Sequence, residues 1–259
     1  MVQMSGYEPG TPSWVDLSSA DVDGSKAFYT ALFGWEAQTA ADPAAGGYTM
    51  FSLRGESVAG LGPLMHEGQP PAWTSYVSVV DADATVGAAR DAGGVVFVEP
   101  MDVLDVGRMA ILADPTGAVI AVWQPRAHPG AGLVNEPGTF CWSELETRDV
   151  ETAKKFYPAV FGWDVQTSTF GDGEYVEWKL GDRSLGGAME MGANFPASVP
   201  PHWLVYFAVD DCDATVIRST ELGGSVVVPA TDIPPGRFAV LSDPHGAAFA
   251  VIRMGALVP

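Results

Sequence analysis

The sequence has 259 residues, of which 47% are hydrophobic, 10% aromatic and 17% charged. This length exceeds one average domain and fits two, and the composition supports a large core, which argues against an intrinsically disordered protein. Its formal net charge is −19, from 13 basic and 32 acidic residues, and this acidity argues against nucleic acids and anionic membrane surfaces as partners.

Hydrophobic periodicity in the first half predicts two successive modules of one kind, each a strand, a helix and three strands. Asp21 is placed at the N-cap of the first helix and Gly34 just after its end. The second helix stops at Gly93 and Gly94. The predicted helices cover residues 22–33 and 83–92, and the predicted strands cover 11–18, 35–39, 48–54, 57–64, 73–80, 95–99, 108–113 and 118–124.

The second half of the sequence repeats the first in the same order. The matched segments are Trp14 with Trp142, Asp21 with Asp149, Phe33-Gly34-Trp35 with Phe161-Gly162-Trp163, Trp73 with Trp203, and Asp114-Pro115 with Asp243-Pro244. The repeat predicts tandem domains over residues 1–125 and 138–259, joined by a linker over 126–137 that is rich in proline and glycine. Pro158 predicts an early end for the third helix.

These motifs resemble the vicinal-oxygen-chelate superfamily, which comprises glyoxalases, bleomycin-resistance proteins and dioxygenases. The resemblance rests on the strand–Asp–helix segment with its Phe-Gly-Trp ending and on the Asp-Pro-x-Gly turns at Asp114 and Asp243. It covers nearly the whole chain and implies an α+β fold of four βαβββ modules. These would form two tandem domains with cupped mixed sheets, whose concave faces bind metal and substrate.

The resemblance also implies positions for metal ligands, normally two histidines and a glutamate, on the first, fifth and last strands of each domain. The residues at these positions are Trp14, Thr74 and Ala121 in the first domain and Trp142, Leu204 and Ala250 in the second. Such side chains are poor or impossible ligands. We therefore predict no metal site and no cofactor, with a divalent metal held by other residues as the alternative.

Strand alternation places aromatic residues and one carboxylate inside each cup. Asp16 and Glu144 are the candidate catalytic residues, because a carboxylate on a central strand is costly unless it is paired or faces a cavity. The candidate ligand-binding residues are Trp14, Tyr76, Trp123, Trp142, His202 and Tyr206. Trp14 and Trp142 have an alternative interpretation as core residues that fill a vacated metal site.

Two repeated arginines and the histidines leave several interpretations open. Arg108 and Arg237 could clamp an anionic ligand, pair with Asp16 and Glu144, or form structural ion pairs at a turn. His202 could be a displaced metal ligand together with Glu144, or an imidazole hydrogen-bonded near the start of its strand. The remaining histidines, His66, His128 and His245, are expected to be solvated.

The function predicted first is a glyoxalase- or bleomycin-resistance-like protein that binds or transforms a small aromatic or electrophilic metabolite without a metal. Whether it is an enzyme stays open: it could sequester its ligand, or be a glyoxalase-like lyase or a tailoring hydroxylase or isomerase. The alternatives are a metal-dependent lyase or dioxygenase, and a non-catalytic interaction protein. We expect a cytoplasmic monomer or homodimer, with no signal peptide in Met1–Gly10 and no membrane-spanning segment.

Overall fold

The computed structural model of the protein describes residues 3–170, 173–193 and 195–255. The first half of the chain contains β1 (Pro12–Ser19), α1 (Val22–Phe33), β2 (Glu36–Thr39), β3 (Thr49–Leu53), β4 (Glu56–Pro63), β5 (Ala72–Ser78), α2 (Ala82–Asp91), β6 (Val95–Val103), β7 (Gly107–Ala113) and β8 (Val119–Pro125).

The second half repeats this order of elements. It contains β9 (Phe140–Thr147), α3 (Val150–Phe161), β10 (Asp164–Phe170), β11 (Gly173–Leu180), β12 (Arg183–Glu190), β13 (His202–Ala208), α4 (Cys212–Glu221), β14 (Ser225–Ile233), β15 (Gly236–Ser242) and β16 (Ala248–Met254). The α+β class and the four βαβββ modules are confirmed.

Each half of the chain forms one mixed eight-stranded sheet. The strand orders are β2-β3-β4-β1-β5-β8-β7-β6 and β10-β11-β12-β9-β13-β16-β15-β14. The first strands of two successive modules pair antiparallel at the centre, β1 with β5 and β9 with β13. Each first strand also pairs in parallel with the last strand of its own module, as β1 does with β4 and β5 with β8. Each sheet is therefore assembled from modules that are adjacent in sequence.

The helix ends follow the chemistry expected from the sequence. The Asp21 carboxylate accepts a hydrogen bond from the Gly24 N–H (2.9 Å), and Gly34 adopts a left-handed conformation (φ 71°) after α1. The expected early end of α3 is wrong, because this helix continues through Pro158 to Phe161. Burial of Phe161 against Tyr157 and Trp163 stabilises this last turn despite the missing proline N–H.

The two domains pack against each other through their helices and the sheet faces that carry them. The Tyr29 hydroxyl of α1 donates to Asp243 of the second domain (3.2 Å), and the Tyr157 hydroxyl of α3 donates to Asp114 of the first (2.9 Å). These reciprocal contacts relate the domains by an approximate twofold axis. The residues that make the sequence repeat recognisable therefore belong largely to the interface between the domains.

The same reciprocity holds for the tryptophans of the Phe-Gly-Trp motifs. Trp35 Nε1 donates to the Gly138 carbonyl (2.7 Å), and Trp163 Nε1 donates to the Gly10 carbonyl (2.6 Å). Both indoles are buried, so each N–H requires an acceptor inside the protein. The acceptor in each case is backbone just before the first strand of the other domain, which fixes how the domains meet.

The segment 126–137, expected to be a linker, is hydrogen-bonded to the first domain. The Ala131 N–H donates to the Ser13 carbonyl (2.8 Å), and the Gly132 N–H donates to the Ser57 carbonyl (2.7 Å). The segment therefore extends the packing of the first domain next to β1 and β4. Among the described residues, none of the helices combines the length and apolar character needed to cross a bilayer.

Candidate acid–base and ligand site

The face of each sheet opposite its helices, here called the cup face, carries the predicted site residues. Strand register places Trp14 opposite Tyr76 and Asp16 opposite Thr74 in the first domain. The residues on the two cup faces are Trp14, Asp16, Thr74, Tyr76, Ala121 and Trp123 in the first domain and Trp142, Glu144, His202, Leu204, Tyr206, Ala250 and Ile252 in the second. The period-two alternation used in the sequence analysis therefore groups these side chains as the structure does.

Two tyrosines and one tryptophan hold Asp16 in the first cup. Asp16 Oδ2 accepts hydrogen bonds from the hydroxyls of Tyr76 (3.0 Å) and Tyr48 (3.3 Å). The Trp14 indole N–H donates to the Tyr48 oxygen (3.1 Å), which orients that hydroxyl toward the carboxylate. These four residues form a continuous polar network inside an aromatic wall.

The second cup contains the same network around Glu144. Its Oε2 accepts from the Tyr175 hydroxyl (2.8 Å) and its Oε1 from the Tyr206 hydroxyl (3.2 Å). The Trp142 indole N–H donates to the Tyr175 oxygen (3.2 Å), as Trp14 does in the first cup. Retention of all four side-chain positions in both domains indicates one shared arrangement, with a carboxylate longer by one methylene in the second domain.

Tyr48 and Tyr175 were missed in the sequence analysis, although the repeat contains a signal for them. Each is followed twelve residues later by a glycine, Tyr48 by Gly60 and Tyr175 by Gly187. An added Cβ at Gly60 would lie 1.8 Å from the Tyr48 oxygen, and one at Gly187 would lie 1.9 Å from the Tyr175 oxygen. These glycines therefore provide the space in which each tyrosine hydroxyl reaches its carboxylate.

Burial changes the ionisation of both carboxyl groups. It raises the pKa of Asp16 to about 6, although the hydrogen bonds from Tyr76 and Tyr48 oppose the shift. Burial likewise raises the pKa of Glu144, opposed by the hydrogen bonds from Tyr175 and Tyr206. A carboxyl group with the pKa of Asp16 can take up and release a proton near neutral pH, which is the property required of a general base.

A second carboxyl group, Glu146, lies next to Glu144 in the second cup and was not predicted. It is 7% exposed and lies directly opposite His202 on β13, with 3.3 Å between Glu146 Oε2 and His202 Nε2. Burial, reinforced by the negative charge of Glu144, raises the pKa of Glu146 to about 8. The first domain has Ser18 and Ala72 at the corresponding positions, so this pair is specific to the second cup.

The first cup is closed by a residue of the 126–137 segment. The imidazole of His128 meets the Trp14 ring edge-on, with 4.6 Å between centroids, and its carbonyl accepts from Trp123 Nε1 (2.8 Å). Its Nε2 is buried and has no hydrogen-bond partner among the described residues. The expectation that His128 is solvated is therefore wrong. Trp14 is 4% exposed beneath it, which agrees with a tryptophan that fills the cup.

The second cup is more open. Trp142 is half-buried, whereas its counterpart Trp14 is buried, and Ile252 stands where the first domain has Trp123. The His202 side chain is 31% exposed, so it connects the buried carboxyl groups with solvent. Access and an additional ionisable pair both distinguish the second cup from the first.

The structure places the two repeated arginines in ion pairs outside the cups. Arg108 pairs with Asp83 (2.8 Å) and Asp102 (3.0 Å), and Arg237 pairs with Asp213 (2.8 Å) in the equivalent place. Neither guanidinium contacts Asp16 or Glu144. The reason is register: the neighbours of these arginines, Met109 and Phe238, pair with the cup residues Trp123 and Ile252, so the arginines themselves project from the helix-bearing face. The structural ion pair considered from the sequence agrees with this geometry.

The metal ligands implied by the family do not fit the residues present. The first, fifth and last strands place Trp, Thr or Leu, and Ala at the expected positions on the cup faces. Within the ranges that the structure describes, no group of three or more His, Cys, Asp or Glu side chains could hold a metal ion. His202 and Glu146 lie close together, but two donors form an incomplete set for a typical transition-metal site.

Comparison with known proteins agrees with this architecture. The glyoxalase/bleomycin resistance protein/dioxygenase superfamily matches residues 11–122, and a glyoxalase-like domain matches residues 142–252. The chain is 45% identical over 98% of both proteins to "Putative glyoxylase CFP32" of Mycobacterium tuberculosis. It is also 45% identical to the anthracycline biosynthesis protein DnrV of Streptomyces peucetius, covering 97% of this chain and 96% of DnrV.

A solved structure with the same fold is the Mn(II)-bound glyoxalase from Novosphingobium aromaticivorans. The two align with a TM-score of 0.63 and 18% identity, over 94% of this chain and 82% of that one. The fold and the paired cups define a protein with two tandem domains of the vicinal-oxygen-chelate type. The chain belongs to the glyoxalase/bleomycin resistance protein/dioxygenase superfamily.

Proposed function

We propose that the second cup binds a small aromatic or electrophilic metabolite, with Glu144 as its general base or polar anchor and without the metal usual in this superfamily. The observation that carries the proposal is a carboxyl group only 8% exposed, held by two tyrosine hydroxyls beside a half-buried tryptophan. A buried carboxylate of this kind offers one directional polar contact within an apolar surface, as small-molecule sites commonly do.

The aromatic character of the ligand has two lines of support. Trp142, Tyr175 and Tyr206 form a hydrogen-bonded aromatic group around Glu144, and aromatic side chains suit a planar ring system. Two relatives covering nearly the whole chain are named for anthracycline biosynthesis, and anthracyclines are flat polycyclic aromatic compounds. We propose the same ligand class for this protein and place its plane against Trp142.

The proposal is tested by thermal unfolding of the full chain with a panel of hydroxyquinones, naphthols and aromatic ketones. A ligand that binds only the native state must raise the melting temperature. We expect at least one member of the panel to do so, and we expect Glu144→Gln to weaken its binding by about 10- to 100-fold, since a hydrogen bond to a charged group contributes about 1.5–3 kcal/mol.

Glu190→Gln is the matched control, because it removes an exposed carboxylate from the same domain. Equal ligand responses of the Glu144 and Glu190 variants would exclude Glu144 from the site.

Elemental analysis of the purified protein tests the metal-free part of the proposal. A stoichiometric content of manganese, iron, nickel or zinc would show that a metal is held by residues other than those at the expected positions.

A further inference from the structure

The second cup contains two carboxyl groups whose surroundings favour opposite protonation states. Glu144 accepts hydrogen bonds from two tyrosine hydroxyls, and such donors stabilise a carboxylate. Glu146 receives no such donor: among the described residues, the only polar group at hydrogen-bond or ion-pair distance is His202. Two neighbouring carboxyl groups held in different environments are the usual arrangement for an acid and a base in one site.

The hydrogen bonds of His202 indicate where its proton lies. Its Nδ1 lies 3.0 Å from the Pro200 carbonyl oxygen, which can only accept, so Nδ1 carries a hydrogen. In a neutral imidazole the other nitrogen, Nε2, then has a lone pair, and that nitrogen lies 3.3 Å from Glu146 Oε2. A contact between this lone pair and a carboxyl oxygen requires a proton between them. The pair therefore holds one proton, either on Glu146 or on His202.

The surroundings of the pair favour retention of that proton. Glu146 is flanked on the neighbouring strand β12 by the apolar Met189, with which it pairs in register. The other titratable groups facing it are Glu144 and Tyr206, and neither supplies a positive charge. Burial with a negative neighbour disfavours a second free carboxylate at this place.

We propose that Glu146, positioned by His202, is the proton donor of the second cup, and that with Glu144 as base it acts on a carbonyl compound with a hydrogen on the adjacent carbon. This inference rests on the proposed function of the same cup. Residues two apart on a strand point the same way, and their Cα atoms lie about 6–7 Å apart. That spacing allows a single carbonyl group and its neighbouring carbon to contact both side chains.

The proton shift needs no other reactant. The C–H bond breaks as its proton moves to the Glu144 carboxylate, and the released electron pair forms the carbon–carbon double bond. The carbonyl π electrons move to oxygen, which takes the proton of Glu146 to give an enol. Glu146 is then a carboxylate beside His202, and the Glu144 carboxyl group exchanges its proton with solvent. In the reverse step Glu144 returns a proton to carbon while Glu146 takes back the enol proton, so the ketone is regenerated with a hydrogen from solvent. When the enol leaves instead, Glu144 loses its proton to solvent and Glu146 regains one through the exposed edge of His202, which completes a tautomerisation.

The first cup lacks this second group, which provides an internal comparison. Ser18 occupies the position of Glu146, and Ala72 occupies the position of His202. The first cup therefore has a carboxylate but no paired proton donor, and His128 covers its tryptophan. On this basis the first domain is a structural partner and the second domain carries the reaction.

The ionisation of the pair is tested first, by NMR on the full chain labelled at glutamate carboxyl carbons and histidine nitrogens. The sequence has four histidines, so single substitutions suffice for assignment. At pH 7 we expect the Glu146–His202 pair to carry no net charge, with Glu144 ionising at lower pH than Glu146. An ionised Glu146 beside a neutral His202 at pH 7 would overturn the proposal, whatever ligand the cup binds.

The reaction class is tested by hydrogen–deuterium exchange of 2-tetralone, an aromatic ketone with acidic hydrogens next to its carbonyl, followed by proton NMR in D₂O. We expect the protein to accelerate exchange and Glu146→Gln to slow it by about 10²- to 10⁴-fold. The wild-type exchange rate should fall at alkaline pH, where Glu146 has no proton to donate. This fall should be absent from the Glu146→Gln variant. The Ser18→Ala variant, altered at the equivalent place in the first cup, should catalyse hydrogen exchange of 2-tetralone at the wild-type rate.

The outcomes separate the two proposals. If 2-tetralone raises the melting temperature but its exchange stays at the buffer rate, the cup binds the ketone and the proton-donor role of Glu146 is wrong. If exchange is fast and Glu146→Gln leaves it unchanged, the donor is a different group. If no aromatic probe, 2-tetralone included, raises the melting temperature, and the protein does not accelerate exchange of 2-tetralone, the proposed function fails. The inference then fails with it.

Discussion

Substitution of Gly187 by alanine gives the sharpest test of the tyrosine–carboxylate network. The new Cβ would lie 1.9 Å from the Tyr175 hydroxyl oxygen and 2.5 Å from its Cζ, so the tyrosine must move. The displaced hydroxyl can no longer donate to Glu144, where the present distance is 2.8 Å. A buried carboxylate then loses one of its two tyrosine donors.

The expected magnitude follows from that lost hydrogen bond. Removal of one donor to a buried group, with local overpacking, lowers the free energy of unfolding by about 1–3 kcal/mol. For a chain of this size each kcal/mol corresponds to roughly 2–4 °C, so the melting temperature should fall by about 2–12 °C. The pKa of Glu144 should rise further, because the hydrogen bond from Tyr175 opposes the effect of burial.

The assay combines calorimetry with a carbon-13 titration of the glutamate carboxyl groups. Gly192→Ala is the control, since an added Cβ there meets nothing within 4 Å. Equal melting temperatures for the two alanine variants, with an unchanged Glu144 titration, would refute the role assigned to Gly187 and Tyr175. The equivalent variant in the first cup, Gly60→Ala, should raise the pKa of Asp16 above its present value of about 6.

Three further predictions concern the domain interface, the outer ion pairs and pH. Tyr29→Phe removes the buried hydrogen bond to Asp243 (3.2 Å) and should cost about 1–3 kcal/mol in urea unfolding; a loss below about 0.5 kcal/mol would contradict this role. Arg108→Ala should leave urea unfolding nearly unchanged, because its partner Asp83 is exposed, and ligand-induced thermal shifts should not change; a weaker ligand response would place Arg108 in the site. Burial raises the pKa of Glu146 from 4.5 to about 8, so its stabilising effect is complete below pH 4.5 and is lost as pH rises toward 8. Unfolding of Glu146→Gln should therefore depend less steeply on pH across this range, by at most about 1.4 kcal/mol per pH unit; parallel curves would show that Glu146 titrates normally.

Edge strands show where local pattern fell short in the fold prediction. The sequence pattern predicts that strand β6 ends at residue 99, but the strand continues to Val103 through Pro100. A proline is acceptable there because β6 is the last strand of its sheet and pairs on one side only. Sequence alone does not identify which strand lies at an edge.

The sequence by itself determined the duplication, the order of elements and the cup-facing set. Aspartate N-caps, glycine helix ends and period-two alternation are local properties, so they can be read without knowledge of the partners of each strand. For this reason strand alternation alone assigns Trp14, Asp16, Trp142 and Glu144 to the cup faces. The six ligand positions are implied by the resemblance to the superfamily, and the absence of histidine or glutamate there is read directly from the sequence.

The tertiary structure decided which side chains meet across long separations in sequence. Tyr48 reaches Asp16 from another strand, Glu146 meets His202 only through the pairing of β9 with β13, and His128 folds back over Trp14. Each of these contacts depends on sheet order and register, which arise from burial of whole sheet faces and cannot be obtained from a local pattern. The carboxyl groups acquire their unusual ionisation from the same packing, because desolvation is a property of the assembled core.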